Sequence, residues 1–241
     1  MSDIGKYLKG IEYVEYGLLD DLTLEEIERE FKPLPNELAY VSRLRDGSEV
    51  KLSKNKVTSR LQELVSKVEG SVDLIVILCT GDFNIRSSKP VVYPSQALIS
   101  KVTEISPRTL GVVVPLESQV DMARKRWCRV SEVTGIIVWS PYSGTEEELT
   151  RSAEVIKGSE VVVMDCLGYL IAHKKLLETA TNSRVRCPGS EVFFSWQDAL
   201  NGSSHRADQI QEKYGYICSF ARRKDNSRSL LLQVSLQDEV P

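Results

Sequence analysis

Four short apolar runs constrain this 241-residue chain more than any other feature: Val72 to Leu78, Leu110 to Val114, Gly135 to Trp139 and Glu160 to Met164. Each is rich in β-branched residues and lacks the polar alternation of a half-exposed strand, so each reads as a strand buried on both faces. Helical spacing fills two of the intervals. Val120, Ala123 and Trp127 share a face between the second and third runs, and Leu149, Ala153 and Ile156 share one between the third and fourth. Thr145 and Glu148 have capping-box spacing ahead of the latter helix. Strand, helix, strand at this rhythm builds parallel βαβ units with right-handed crossovers. The expected fold is α/β, a parallel sheet in a three-layer αβα arrangement.

The flanks are less regular. Thr23 and Glu26 form a second capping box before a helix over Leu24 to Phe31, which Pro33 and Pro35 stop. Asp46-Gly47 marks a tight turn between strands at Ala39 to Leu44 and Glu49 to Leu52. Val57, Leu61, Leu64, Val65 and Val68 lie on one face of a helix from Lys54 to Val68. Beyond residue 185 the rhythm fails. Asn182 to Ser190 and Asn201 to Ser204 are turn-rich, Gln209 to Lys213 has helical character, and Tyr214 to Phe220 and Leu230 to Val234 have strand character.

Composition excludes several classes of function. A net charge of -3 supplies no global attraction to nucleic acid, and the basic runs Arg124-Lys125-Arg126 and Arg222-Arg223-Lys224 read as solvated surface. No apolar run reaches the roughly 18–20 residues that span a bilayer, and the start carries no secretory signal. The expectation is no nucleic-acid partner and no membrane. Cys79, Cys128, Cys166, Cys187 and Cys218 are odd in number and widely scattered, which fits reduced thiols in a cytoplasm. His173 and His205 lack metal-ligand spacing and read as surface residues. G-x-G-x-x-G, Walker A and G-x-S-x-G are missing, so no cofactor and no metal are expected.

In parallel sheets, ligands bind beyond the carboxyl ends of the strands. The residues just past the four runs are Cys79-Thr80-Gly81-Asp82, Pro115 to Gln119, Ser140-Pro141-Tyr142-Ser143, and Asp165-Cys166-Leu167-Gly168-Tyr169. These tips are small, polar or thiol-bearing. Cys79 and Cys166 hold equivalent places after separate strands. A helix N-terminus beside such a thiol would lower its pKa and make it a base or nucleophile; the competing role is that of a small buried hydrophobe. Cys128, Cys187 and Cys218 read as structural. Thr80, Gly81, Ser140 and Tyr142 offer hydroxyls and N–H groups to a carboxylate, or serve ordinary turn chemistry. Gln119 and Gly168 complete the binding candidates.

Several motifs in fixed order resemble the AroM family. They are Gly17 to Asp20 with Leu22 to Ile27, Ser42 to Gly47, Leu78 to Phe83, Gly111 to Pro115 with Gln119, Trp127, Ser140 to Tyr142, and Val163 to Tyr169. The resemblance covers roughly residues 10 to 180. It implies the aspartate/glutamate racemase-like fold, two α/β halves facing across a cleft, here residues 1–110 with an incomplete N-terminus and 111–185, with 186–241 outside the pattern. Family members open with a buried strand, and Met1 to Lys9 shows none. The resemblance also implies one cysteine from each half acting as an acid/base pair on either side of a substrate α-carbon, and Cys79 and Cys166 fall where such a pair would sit. Two roles are then open. One is a racemase- or isomerase-like protein for a small carboxylate or amino acid; the other is a non-catalytic binding or regulatory protein on the same scaffold. Self-association is open in either case.

Overall fold

The computed structural model describes residues 12–188 and the backbone of residues 228–233. In chain order its elements are β1 (Glu12–Gly17), α1 (Leu24–Phe31), β2 (Ala39–Arg43), β3 (Glu49–Ser53), α2 (Lys54–Val68), β4 (Leu74–Leu78), β5 (Val91–Val92) and α3 (Pro94–Ile105). After these come β6 (Thr109–Val114), α4 (Val120–Trp127), β7 (Glu132–Val138), α5 (Glu146–Ser152), β8 (Val161–Met164), α6 (Ile171–Thr181), β9 (Arg184–Arg186) and β10 (Arg228–Gln233). The candidate helix at Gln209 to Lys213 and strand at Tyr214 to Phe220 lie outside the described residues, as do His205, Cys218 and the second basic run.

The described strands make two four-stranded parallel sheets and one antiparallel hairpin. The first sheet runs β1-β10-β4-β5, the second β7-β6-β8-β9, and β2 pairs with β3. β10 lies between β1 and β4, with Leu230 opposite both Val14 and Ile75. The fold class expected from the strand–helix alternation is the one found. β4 and β8 are buried along their whole length, as unbroken apolar runs should be.

Two expectations need correction. β7 is not buried on both faces: among the described strands it is the edge of its sheet, with only Gly135 and Ile137 of its residues buried. Its apolar run was misleading because an edge strand has a neighbour on one side only. The chain also has a described strand at β1 that the apolar pattern did not reveal. Its sequence, Glu-Tyr-Val-Glu-Tyr-Gly, is polar enough to leave Tyr13, Val14 and Tyr16 exposed at a sheet edge.

Helix caps obey the sequence signals. Thr23 and Thr145 both close full capping boxes, and Ser53 Oγ accepts the Lys56 N–H at the start of α2. α3 has Pro94 in its first turn, where a missing N–H costs nothing. The hairpin turns at Asp46-Gly47. Gly47 takes φ +85°, and Asp46 accepts from the Ser48 N–H at 2.9 Å.

Three apolar clusters form the core. One joins α1, α2, the hairpin and β4 through Ile27, Leu52, Leu61, Val65 and Ile75. The other two cover the two faces of the second sheet. Leu98, Ile99 and Val102 of α3 pack with Leu110, Val112 and Trp127 on one face, and Leu149, Ile156, Met164 and Leu177 pack on the other. Leu98→Ala should therefore destabilise the protein by about 2–5 kcal/mol, since the fully buried site leaves a cavity. Leu34→Ala, at an exposed position, should change little. Urea unfolding of both variants checks the contrast.

Candidate active site

The two sheets meet at their carboxyl ends through a guanidinium. Arg126 on α4 is buried beside Ala123 and Trp127, the i, i+3, i+4 face that packs on the sheet. Its Nη1 donates to both oxygens of Asp165, at 3.0 and 2.8 Å. Its Nη2 donates to the Thr80 carbonyl at 3.1 Å and to Asp82 at 2.5 Å. Trp127 Nε1 donates to Asp165 at 2.9 Å, and Thr80 Oγ1 donates to the Asp165 carbonyl at 3.1 Å. Burial alone would disfavour the charged guanidinium, but Asp165 and Asp82 more than reverse this and keep Arg126 protonated. The basic run that reads as solvated surface is thus split: Arg124 and Lys125 are exposed while Arg126 is buried.

This cluster fixes the backbone on either side of the two thiols. Thr80 comes directly after Cys79, and Asp165 directly before Cys166. Each thiol then makes the same local turn. Cys79 Sγ accepts the Gly81 N–H at 3.4 Å, and Cys166 Sγ accepts the Gly168 N–H at 3.4 Å. A tyrosine lies on each glycine. A Cβ added to Gly81 would stand 2.7 Å from Tyr40 Oη, and one added to Gly168 would stand 2.6 Å from Tyr142 Oη. Both glycines are needed for that close approach. The result is a doubled unit, a Cys-x-Gly turn past one strand of each four-stranded sheet, with Tyr40 of the hairpin on one glycine and Tyr142 on the other. The two units are joined one residue from each sulfur, where Thr80 Oγ1 donates to the Asp165 carbonyl.

Other predicted residues take positioning bonds. Ser140 Oγ donates to Glu49 of the hairpin, Ser143 Oγ donates to the same carboxylate at 3.1 Å, and Ser140 Oγ accepts the Tyr142 N–H at 3.2 Å. Gln119 stands apart from the thiols in its bonding. Its Nε2 donates to the Ala39 carbonyl at 2.8 Å, while Ser118 Oγ accepts the Ala39 N–H at 3.3 Å. Together these two anchor the start of β2, and so the next residue, Tyr40. Cys128 is exposed, Cys187 is buried in the second core, and His173 stands edge-on to Trp139 with Nδ1 accepting the Leu170 N–H.

The chemistry of the thiols differs from the expectation of lowered pKa. Burial pushes Cys79 up to about 11 and Cys166 up to about 12, and the single glycine N–H at each sulfur offsets only part of this. Both are neutral thiols near pH 7. Burial raises Tyr40 and Tyr142 as well, with charge on Cys79 and on Cys166 respectively adding to the effect, so both phenols keep their protons. Tyr40, Phe83, Arg126 and Asp165 escaped identification as site residues. Arg126 alone carried a usable signal, its spacing from Ala123 and Trp127.

Comparison with known proteins agrees with this architecture. The AroM family (AroM protein) matches residues 1–188, and the chain belongs to that family. No curated protein matches. Among solved structures, a double mutant of arylmalonate decarboxylase in its liganded form is similar at TM-score 0.50 and 13% identity, over 77% of this chain and 89% of that one. A glutamate racemase isoform from Bacillus anthracis gives TM-score 0.49 and 12% identity over 90% and 98%. An allantoin racemase from Klebsiella pneumoniae gives 0.46 and 17% over 71% and 75%. The α/β fold is shared with that arylmalonate decarboxylase. No helix among the described residues is long and apolar enough to cross a membrane.

Two measurements test the site. Arg126→Met strands the buried Asp165 carboxylate and should destabilise the protein by about 3–5 kcal/mol; adding Asp165→Asn should restore part of that loss. A raised pKa means that the reactive thiolate of Cys79 is scarce and grows about tenfold per pH unit below the pKa. Alkylation of Cys79 by iodoacetamide, quantified by peptide mass spectrometry, should accordingly climb about a thousandfold from pH 7 to pH 10. A plateau near pH 8 would contradict the burial argument.

Proposed function

We infer that this AroM-family chain binds a small carboxylate or amino acid between Cys79 and Cys166 and moves a proton at its α-carbon. The supporting observation is the doubled geometry, one Cys-x-Gly turn at the end of each sheet, with the two turns tied by the Thr80–Asp165 hydrogen bond. A two-base proton transfer asks for that symmetry. One thiol first releases its proton to solvent. Its thiolate then takes the α-proton, the C–H bond breaks, and the electron pair delocalises into the carboxylate. The other thiol delivers its proton to the opposite face and a new C–H bond forms. The thiolate left behind and the thiol newly formed exchange protons with solvent, which restores the start.

The carboxylate meets few free groups. Thr80 and Ser140 have their hydroxyls committed to Asp165 and Glu49, so Tyr142 and backbone N–H groups near Thr80 and Gly168 are the donors we assign to it. Arg43, exposed on the hairpin, acts electrostatically on Tyr142 and would steer an anion inward. Arylmalonate decarboxylase, which by its name acts on arylmalonates, supports a carboxylate ligand through the shared fold.

A non-catalytic binding role on the same scaffold is the second reading, and the neutral thiols favour it. With a pKa of about 11, only about one Cys79 in ten thousand is thiolate at pH 7.

A thermal-shift screen against amino acids and small dicarboxylates identifies the ligand, since binding to the folded state raises Tm. Nuclear magnetic resonance in D2O then tracks deuterium incorporation at its α-carbon. Exchange should fall at least a hundredfold in both Cys79→Ser and Cys166→Ser, with binding retained. Binding without exchange in the wild type establishes the second reading, and exchange that survives both substitutions removes the thiols from the mechanism.

A further inference from the structure

Tyr40 is buried, yet among the described residues its hydroxyl has no hydrogen-bond partner. Buried polar groups are almost always satisfied, so an exception calls for a cause. The Asp82 N–H acts on the phenol oxygen from outside hydrogen-bond geometry, and no acceptor among the described residues meets the O–H. The ring is held firmly. It packs at 5.3 Å and 55° against Phe83, lies on Gly81, and sits one residue beyond the Ala39 peptide that Ser118 and Gln119 bond on both sides. A phenol fixed this well with an idle hydroxyl is preorganised for something absent from the protein itself.

We propose that Tyr40 is a substrate-binding residue, whose hydroxyl donates a hydrogen bond to an oxygen of the ligand carboxylate on the Cys79 side of the site. This rests on the carboxylate reading above and deepens it. The phenol keeps its proton across the neutral range, so it acts as a donor and needs an acceptor. Its place on Gly81 matches that of Tyr142 on Gly168, so the ligand meets one phenol from each half of the site. The buried cation nearby, Arg126, is already matched by Asp82 and Asp165. A carboxylate held here is therefore recognised by neutral donors.

Iodoacetate serves as the probe, because it carries a carboxylate and marks the thiol it reaches. The thiolate displaces iodide, a thioether forms and the thiol proton passes to buffer. Iodoacetamide is the neutral control, and exposed Cys128 is the internal reference. At pH 9 the wild-type ratio of iodoacetate to iodoacetamide labelling, read by peptide mass spectrometry, should be at least tenfold higher at Cys79 than at Cys128. In Tyr40→Phe that preference should collapse to within about twofold of Cys128, as expected for losing a hydrogen bond to a charged group. The unliganded variant should melt at the wild-type temperature or above it, because it sheds an unsatisfied polar atom. A preference that persists in Tyr40→Phe overturns this assignment and leaves the carboxylate reading intact. No preference in the wild type overturns both. A fall of more than a few degrees in the Tm of unliganded Tyr40→Phe makes the hydroxyl structural and also overturns the assignment.

Discussion

The interaction on which the rest depends is the buried guanidinium of Arg126. A charge taken out of water is tolerated only if it is matched and hydrogen-bonded, and here two carboxylates and a backbone carbonyl meet it. The three partners come from the ends of different strands. Thr80 and Asp82 lie just past β4, and Asp165 just past β8. The geometry of one planar side chain therefore sets the spacing between the tips of two sheets. Hydrophobic packing alone would let those tips slide, because apolar contact has no preferred direction. The contact of Arg126 Nη1 with both oxygens of Asp165 and the Trp127 bond to the same carboxylate give the direction.

The thiols inherit their arrangement from that cluster, and their chemistry from what surrounds them. Each sulfur receives one N–H from its own turn. A helix dipole or a nearby unmatched cation would favour thiolate, but Arg126 is matched and burial prevails. The site thus rests in a protonated form, with two thiols and two phenols as proton donors. Such a site suits an anionic ligand, which gains from donors and would lose from thiolates.

Much of this was legible in the sequence, for identifiable reasons. The buried strands β4, β6 and β8 announce themselves as apolar runs. Residues just past the carboxyl end of a parallel strand lie at the ligand-binding edge, so Cys79 and Cys166 could be picked out. Tyr40 could not. Nothing local tells a strand residue facing its own core from one reaching across to a glycine about forty positions later. Arg126 was hidden by its neighbours, since a basic triplet suggests solvent unless its helical phase is read against Ala123 and Trp127. Asp165 was visible only as a polar residue between an apolar run and a cysteine. β1 was missed because an edge strand carries polar residues that a central strand would not.

The hairpin of β2 and β3 has a consequence for how the site comes into being. Its sequence lies early in the chain, yet its outward bonds reach far ahead: Ala39 to Gln119 across 80 residues, and Glu49 to Ser140 across 91. Contacts so distant in sequence must close long loops before their bonding is gained, which slows their formation. Neither anchor exists until the second sheet has been made. The hairpin's outer anchoring must wait, and with it the side of the site beside Tyr142. Assembly of the site is thus tied to completion of the fold, and a chain stalled before its second sheet has one thiol without a partner.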